Sequence, residues 1–217
     1  MTFYFGDILP YLPVLLQALW ISVYVTLIGF AAGSVAGVLI SLARSSGVRA
    51  LSAPAGVYIE IFRNTPLLVQ LYLIYFGLGQ VGINFNPFWS AVVGLTLNNA
   101  AYTAEIFRAG FESVPAGQRE AASALGMSPV QNFRYVVLKP AVRNVLPSLT
   151  NQLIVLFLFS SVGSVIALPE LTNELSNINS LTNRTLETFT YGAVLYYLVS
   201  VAMAMSSRLA EKTLFRW

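Results

Sequence analysis

The chain has 217 residues, of which 56% are hydrophobic and only 10% charged. A water-soluble domain carries about 25% charge, so 12 Lys+Arg and 9 Asp+Glu argue against a soluble enzyme. The apolar abundance excludes disorder, and the mean hydropathy of +0.69 leaves an all-α membrane bundle as the expected class.

The missing residues narrow the chemistry. With no Cys and no His, there is no disulfide framework, no thiolate nucleophile, no Ser-His-Asp triad and no His-ligated zinc site. The net charge of +3 is carried by scattered basic residues, which argues against nucleic acid as a partner.

Charge-free stretches place the spans, since a crossing helix needs about 20 apolar residues. Between Asp7 and Arg44 lie 36 uncharged residues. Pro10 and Pro13 separate a short interfacial piece from a first span near 14–42, which lacks the basic flank of a cleaved signal peptide. Gly29, Gly33 and Gly37 share one face of that span and permit close approach of another backbone. A second span is expected near 55–79, interrupted at its start by Arg63-Asn64-Thr65-Pro66, and further spans near 87–107, 145–168 and 189–207. With the N-terminus outside, Arg44, Arg49, Arg63, Arg108, Arg119, Arg134, Lys139, Arg143, Arg208, Lys212 and Arg216 fall inside and only Arg184 outside. Inner loops collect basic residues in this way, so the C-terminus is expected inside.

Two short patterns carry no function. Gly77-Leu78-Gly79-Gln80-Val81-Gly82 matches a dinucleotide fingerprint but lies at the outer end of a membrane helix instead of between strand and helix. It reads as a glycine-rich turn. Asn183-Arg184-Thr185 is a sequon of a kind that arises by chance.

The inner loop, about 108–143, is the most informative segment. Pro115 suits a helix start and Gly126 a helix stop, while Ser128 with Gln131 three residues on reads as a capping box opening a second short helix. Two short helices joined at a glycine suit contact with a soluble partner, although on capping alone an ordinary connecting loop is the preferred reading.

Glu120-Ala121-Ala122, then Gly126, then Val136-Val137-Leu138 resembles the EAA loop of ABC importer permeases. Gln118 ahead of Glu120 is similar to the form in the polar amino acid permeases. So are the blocks Ala101-Tyr102-Thr103-Ala104-Glu105-Ile106-Phe107-Arg108-Ala109-Gly110 and Phe62-Arg63-Asn64-Thr65-Pro66-Leu67-Leu68-Val69-Gln70. The resemblance implies a type I importer permease: one transmembrane domain of five helices with a cytoplasmic coupling-helix loop, in a bacterial inner membrane. It implies two ABC ATPase subunits, a second permease chain, an external solute-binding protein and a polar amino acid substrate. ATP and Mg would reside on the ATPases, with no cofactor and no catalysis on this chain. Gln118, Glu120, Ala121, Ala122, Leu125, Gly126 and Met127 are the implied coupling residues.

The sequence departs from the family twice. Lys139 separates Leu138 from Pro140, where the family has proline directly. In the fourth span the family's Lys-Asp-Thr/Ser-Ser-Leu is replaced by Leu158-Phe159-Ser160-Ser161-Val162, and Phe159 cannot pair with a substrate ammonium. Either this chain contributes less to substrate binding than its partner permease, or the substrate is itself acidic. The polar residues available in the spans include Asn99, Asn151 and Gln152; Gln70, Asn98, Phe159, Ser160 and Ser161 are taken as the candidate substrate path, with backbone bonding as the alternative use of the two serines. An ATP-independent amino acid channel or secondary transporter is the alternative function.

Overall fold

The computed structural model describes residues 4–214, and every regular element among them is helical. A 3-10 turn, Phe5–Tyr11, leads into α1, Leu12–Arg44, with Pro13 in the first turn where a missing N–H costs nothing. Next come α2, Arg49–Asn64, and α3, Leu67–Gln80, which widens to a π turn over Leu73–Gly77. The third long helix, α4, is Pro87–Glu112. A short α5, Ala116–Ala124, precedes α6, continuous over 129–159 through a π turn at Asn132–Val137. A 3-10 segment, Ser160–Ile166, then leads to α7, Leu171–Thr182, and α8, Thr185–Leu214.

Three expectations need correction. The second short helix expected after Ser128 is the first turn of the long α6. The helix expected near 55–79 starts instead at Arg49, while the interruption expected at Arg63–Pro66 is present: Pro66 cannot donate into a ladder and pushes Thr65 to an extended φ of −117°. Helix α7 was not anticipated, because its polar face hides Leu171, Leu175 and Ile178, which are buried. The glycine-rich turn is as expected, with Gly82 at φ +85°. Of the residues assigned to the inner side, Arg216 lies outside the described residues, as do the side chains of Lys139 and Lys212.

The core is built on α1 against α4. Gly29 faces Leu95, Gly33 faces Asn99 and Gly37 faces Thr103. Because both series ascend together, the two helices run parallel, and α2 with α3 must return the chain between them. A Cβ at Gly33 would lie 2.8 Å from the Asn99 Cβ and from the Thr96 carbonyl oxygen, so only glycine allows this approach. The closeness lets Thr103 donate to the Gly33 carbonyl at 3.2 Å and Asn99 to the Phe30 carbonyl at 3.1 Å. Gln152 of α6 donates in turn to Asn99 Oδ1 at 3.2 Å, tying three helices through one amide.

Among the described residues, three helical stretches are long and apolar enough to cross a membrane: Phe5–Arg44, Pro140–Ile166 and Thr185–Leu209. Helix α4 falls short of that standard because its neighbours enclose it. Ser90, Asn98, Asn99 and Thr103 are all buried, so polarity there faces protein and not lipid. Large apolar side chains such as Trp20, Leu39, Leu73 and Tyr197 are exposed instead, as a lipid-facing surface requires.

Outside the crossing stretches, Glu170 caps α7. It accepts from the Asn173 N–H at 2.8 Å, from Ser22 Oγ at 3.2 Å and from Tyr196 Oη at 3.0 Å, joining α7 to α1 and α8. The residue is fully buried, and burial pushes its carboxyl above the usual carboxylate range despite these donors. The folded state therefore binds the proton more tightly than the unfolded one. That contribution to stability is complete below the ordinary carboxylate pKa and is lost as pH rises through the raised value. We expect the melting temperature of purified protein to decline on this account as pH rises above the ordinary carboxylate range, and Glu170→Gln to abolish that part of the decline. Parallel pH curves for the two proteins would contradict the assignment.

Candidate functional site: the 108–143 loop and the polar interior

Helix α5 is held by local chemistry that the sequence announces. Gly126 adopts φ +78°, the left-handed geometry that favours glycine. Its N–H donates to the Ser123 carbonyl at 3.0 Å, while the Met127 N–H reaches the Ala122 carbonyl at 3.1 Å, which is a Schellman stop. The capping box is complete: Gln131 N–H donates to Ser128 Oγ at 3.3 Å and Ser128 N–H to Gln131 Oε1 at 2.8 Å. Asn132 Nδ2 donates to the Arg119 carbonyl at 2.8 Å, clamping α5 to the base of α6. Arg119 Nη2 donates to the Phe111 carbonyl near the end of α4. The short helix is thus anchored to both long helices that flank it.

Several of the loop residues named from the sequence lie on its outward face. Gln118, Glu120, Ala121 and Gly126 are exposed, and Leu125 is 83% exposed. Met127 is half-buried. Ala122 differs: it is 3% exposed and turned inward, so it seats the helix and does not lie on the outer face.

The candidate path residues separate into two groups. Gln70 and Asn98 meet, Asn98 Nδ2 donating to Gln70 Oε1 at 3.1 Å. Gln70 Nε2 donates to the Phe62 carbonyl at 3.0 Å, the Thr65 carbonyl at 3.1 Å and Thr65 Oγ1 at 2.9 Å, filling the gap where α2 ends. Asn98 Oδ1 is buried without a partner. The second group lies on the 3-10 segment and its approach. Ser160 and Ser161 donate to the Phe157 and Leu158 carbonyls at 2.7 and 2.6 Å, the backbone use the sequence left open. Phe159 packs against the cluster of Leu67, Leu71 and Leu95.

Sequence reasoning passed over the charges at the loop end of the bundle. Arg108 donates to both oxygens of Glu105, the shortest contact being 2.7 Å, and to Glu112 at 2.7 Å. Arg63 of α2 stands 4.0 Å from Glu105 and lies over the Tyr102 ring at 5.3 Å. The available signal was the i, i+3, i+7 spacing of Glu105, Arg108 and Glu112, which puts all three on one helix face. At the opposite end, Arg184 pairs with Asp7 at 3.3 Å. Among the described residues no cluster of three or more His, Cys, Asp or Glu could hold a metal ion.

A family described as the binding-protein-dependent transport system inner membrane component matches residues 29–214. The chain belongs to that family. Such an inner-membrane component is a multi-pass transport subunit, an ABC transporter permease. Among curated relatives, the octopine transport system permease protein of Rhizobium radiobacter is 38% identical over 93% of this chain and 86% of its own length. The glutamine transport system permease protein of Escherichia coli is 36% identical over 98% of both, and the arginine transport system permease protein of Bacillus subtilis 33% over 97% and 96%. Among solved structures, an amino acid ABC transporter crystallised with histidines aligns at a TM-score of 0.92 and 37% identity, over 98% of this chain and 100% of that one. A chain of the inward-facing MetNI methionine ABC transporter aligns at a TM-score of 0.70 with 24% identity, over 93% of this chain and 98% of that one, a likeness of fold alone.

Proposed function

We propose that this permease moves a polar amino acid from an external binding protein into the cytoplasm, driven by two ATPase subunits that dock on the 108–143 loop. The observation that carries the reading is α5: a short helix, stopped and clamped by named hydrogen bonds, that leaves Leu125 83% exposed. A fixed apolar tip on a polar loop suits a groove in a soluble partner. Because Asn132 ties α5 to α6 and Arg119 ties it to α4, displacement of the docked helix moves both long helices. ATP-driven closure of the ATPase pair would then bias the bundle between outward-open and inward-open states.

The reading includes a single transmembrane domain that crosses five times, at α1, the α2–α3 unit, α4, α6 and α8, with a second permease chain completing the pathway. The parallel run of α1 and α4 supports the crossing by α2–α3. Separation of the charged ends supports an outer N-terminus and an inner C-terminus: Arg44, Arg63 and Arg108 line one cavity at the loop end, whereas Arg184 meets Asp7 at the other. Gln70, Asn98, Phe159, Ser160 and Ser161 are assigned to the substrate path. An amino acid ammonium would satisfy the buried Asn98 Oδ1, which is costly to leave unpaired away from water. Relatives named for arginine, glutamine and octopine support a polar amino acid or a derivative of one as cargo.

The test is Glu120→Arg in the reconstituted transporter. Reversing this exposed charge on the docking face should cut ATP-driven uptake by about tenfold or more with the chain still inserted and the permease pair intact. Undiminished uptake would remove the docking role from this loop, and uptake without any ATPase would replace the importer with a channel or secondary transporter.

A further inference from the structure

The two sequence blocks that resemble polar amino acid permeases meet in space through one pair of charges. Arg63 comes from the first block and Glu105 from the second, and their closest approach, 4.0 Å, is longer than a hydrogen bond. We propose that Arg63 and Glu105 form a second, exit-side binding station for a zwitterionic amino acid, the guanidinium taking its α-carboxylate and Glu105 its α-ammonium. This rests on the importer reading above and adds a site to it.

Four observations carry the assignment. The pair stands between two cavities and lines both: one of ≈ 610 Å3 with Arg44, Glu60, Arg108 and Glu112, the other of ≈ 510 Å3 with Tyr102, Ala109 and Ser113. The first cavity carries three Arg and three Glu, a balance that suits a dipolar ligand and favours neither an anion nor a cation. The Arg63 guanidinium is held over the Tyr102 ring yet makes no hydrogen bond among the described residues, so its fork of donors is free for a carboxylate, which it matches bidentately. Glu105, by contrast, is fixed by Arg108 on the same helix, so it can receive an ammonium without first being ordered.

The station also lies on a continuous line. Asn98, Tyr102, Glu105 and Ala109 recur at i, i+4, i+7 and i+11 of α4 and share one face. Glu105 is about 10 Å along the helix from Asn98, on the side of the coupling loop. Arg63 is two residues before Thr65, at the break that Gln70 fills, so flexure of the α2–α3 junction would change the gap between guanidinium and carboxylate. A ligand entering that gap replaces a weak ion pair by two charge-assisted contacts, and closure of the gap expels it.

Because the chain has no cysteine, Ala109→Cys places a unique thiol of this chain on the wall of the second cavity. In the complete permease–ATPase complex in liposomes, its modification by a charged methanethiosulfonate added on the loop side is followed with and without L-glutamine, L-arginine or L-glutamate. We expect an amino acid that the complex transports to slow labelling about fivefold at millimolar concentration, and its methyl ester or N-acetyl derivative to protect far less. With Arg63→Gln added, the free amino acid should protect no better than its ester. Equal protection by the blocked derivatives, protection unchanged by Arg63→Gln, or transport without protection would overturn the station while leaving the importer standing. If the Ala109→Cys complex, supplied with its binding protein, takes up none of the three under ATP while the unmodified complex does so, Ser113→Cys replaces it as reporter. Failure of the unmodified complex with these three and with octopine, the derivative for which a relative is named, removes the importer reading and the station together.

Discussion

Gly33→Ala should lower the melting temperature of the purified permease, and Gly33→Leu should leave no folded protein to purify. A methyl at this position meets the Asn99 Cβ and the Thr96 carbonyl oxygen, both at 2.8 Å. A backbone oxygen cannot swing aside, so α1 and α4 must separate. Overpacking of this kind costs about 1–3 kcal/mol, which for a chain of this size corresponds to several degrees, at roughly 2–4 °C per kcal/mol. Separation also stretches the Asn99 bond to the Phe30 carbonyl and the Gln152 bond to Asn99, so the effect reaches α6. The control is Gly117→Ala on α5, where nothing lies within 4 Å of the added carbon and the better helix former should be neutral or stabilising. A Gly33→Ala protein that melts with the wild type would contradict the close α1–α4 contact.

That contact was half visible in the sequence. Three glycines at a spacing of four announce a close-packed face, but a glycine face does not name its partner. The partner, α4, reveals itself only once Leu95, Asn99 and Thr103 are seen to rise at the same spacing. Local signals were read well for the same reason that they are local. The Gly126 stop and the Ser128–Gln131 box depend on residues within a few positions, and both form as expected. What failed depended on tertiary context. Helix α7 is polar in sequence because Ser176, Asn177 and Ser180 lie on an exposed face, and Glu170 fixes its inner face by reaching Ser22 and Tyr196 far along the chain. Ser128 opens a helix as read, but nothing between it and Phe159 ends that helix. A π turn at Asn132–Val137 carries it on without a break.

The polar interior divides in the same manner. Gln70 and Asn98 stood out because amides are costly in lipid, and the structure buries both and joins them. The residues to which they are bonded could not be read from spacing, since the acceptors are backbone carbonyls freed by the break after Asn64. The pair braces a broken helix, and under the proposed importer reading it would also offer Asn98 Oδ1 to a ligand.

Substitution of Gln70 separates those functions. Gln70→Leu leaves the Phe62 and Thr65 carbonyls without the amide donor and deprives Asn98 Nδ2 of its 3.1 Å acceptor. Unsatisfied buried groups cost about 1–3 kcal/mol each, so the single variant should be strongly destabilised, with a melting point lowered by many degrees. Asn98→Leu should cost less, because Gln70 keeps its three contacts at the break. The double variant removes the amide of Asn98 together with the acceptor it needs, and should be more stable than the sum of the singles by about 1 kcal/mol. Strict additivity would show that the two amides do not support each other. Transport should follow a different course. If Asn98 Oδ1 receives the substrate ammonium, the double variant regains stability relative to that sum but not uptake. If the amides only brace the break, uptake per folded complex stays at the wild-type level in Asn98→Leu, where the brace survives and the acceptor is gone.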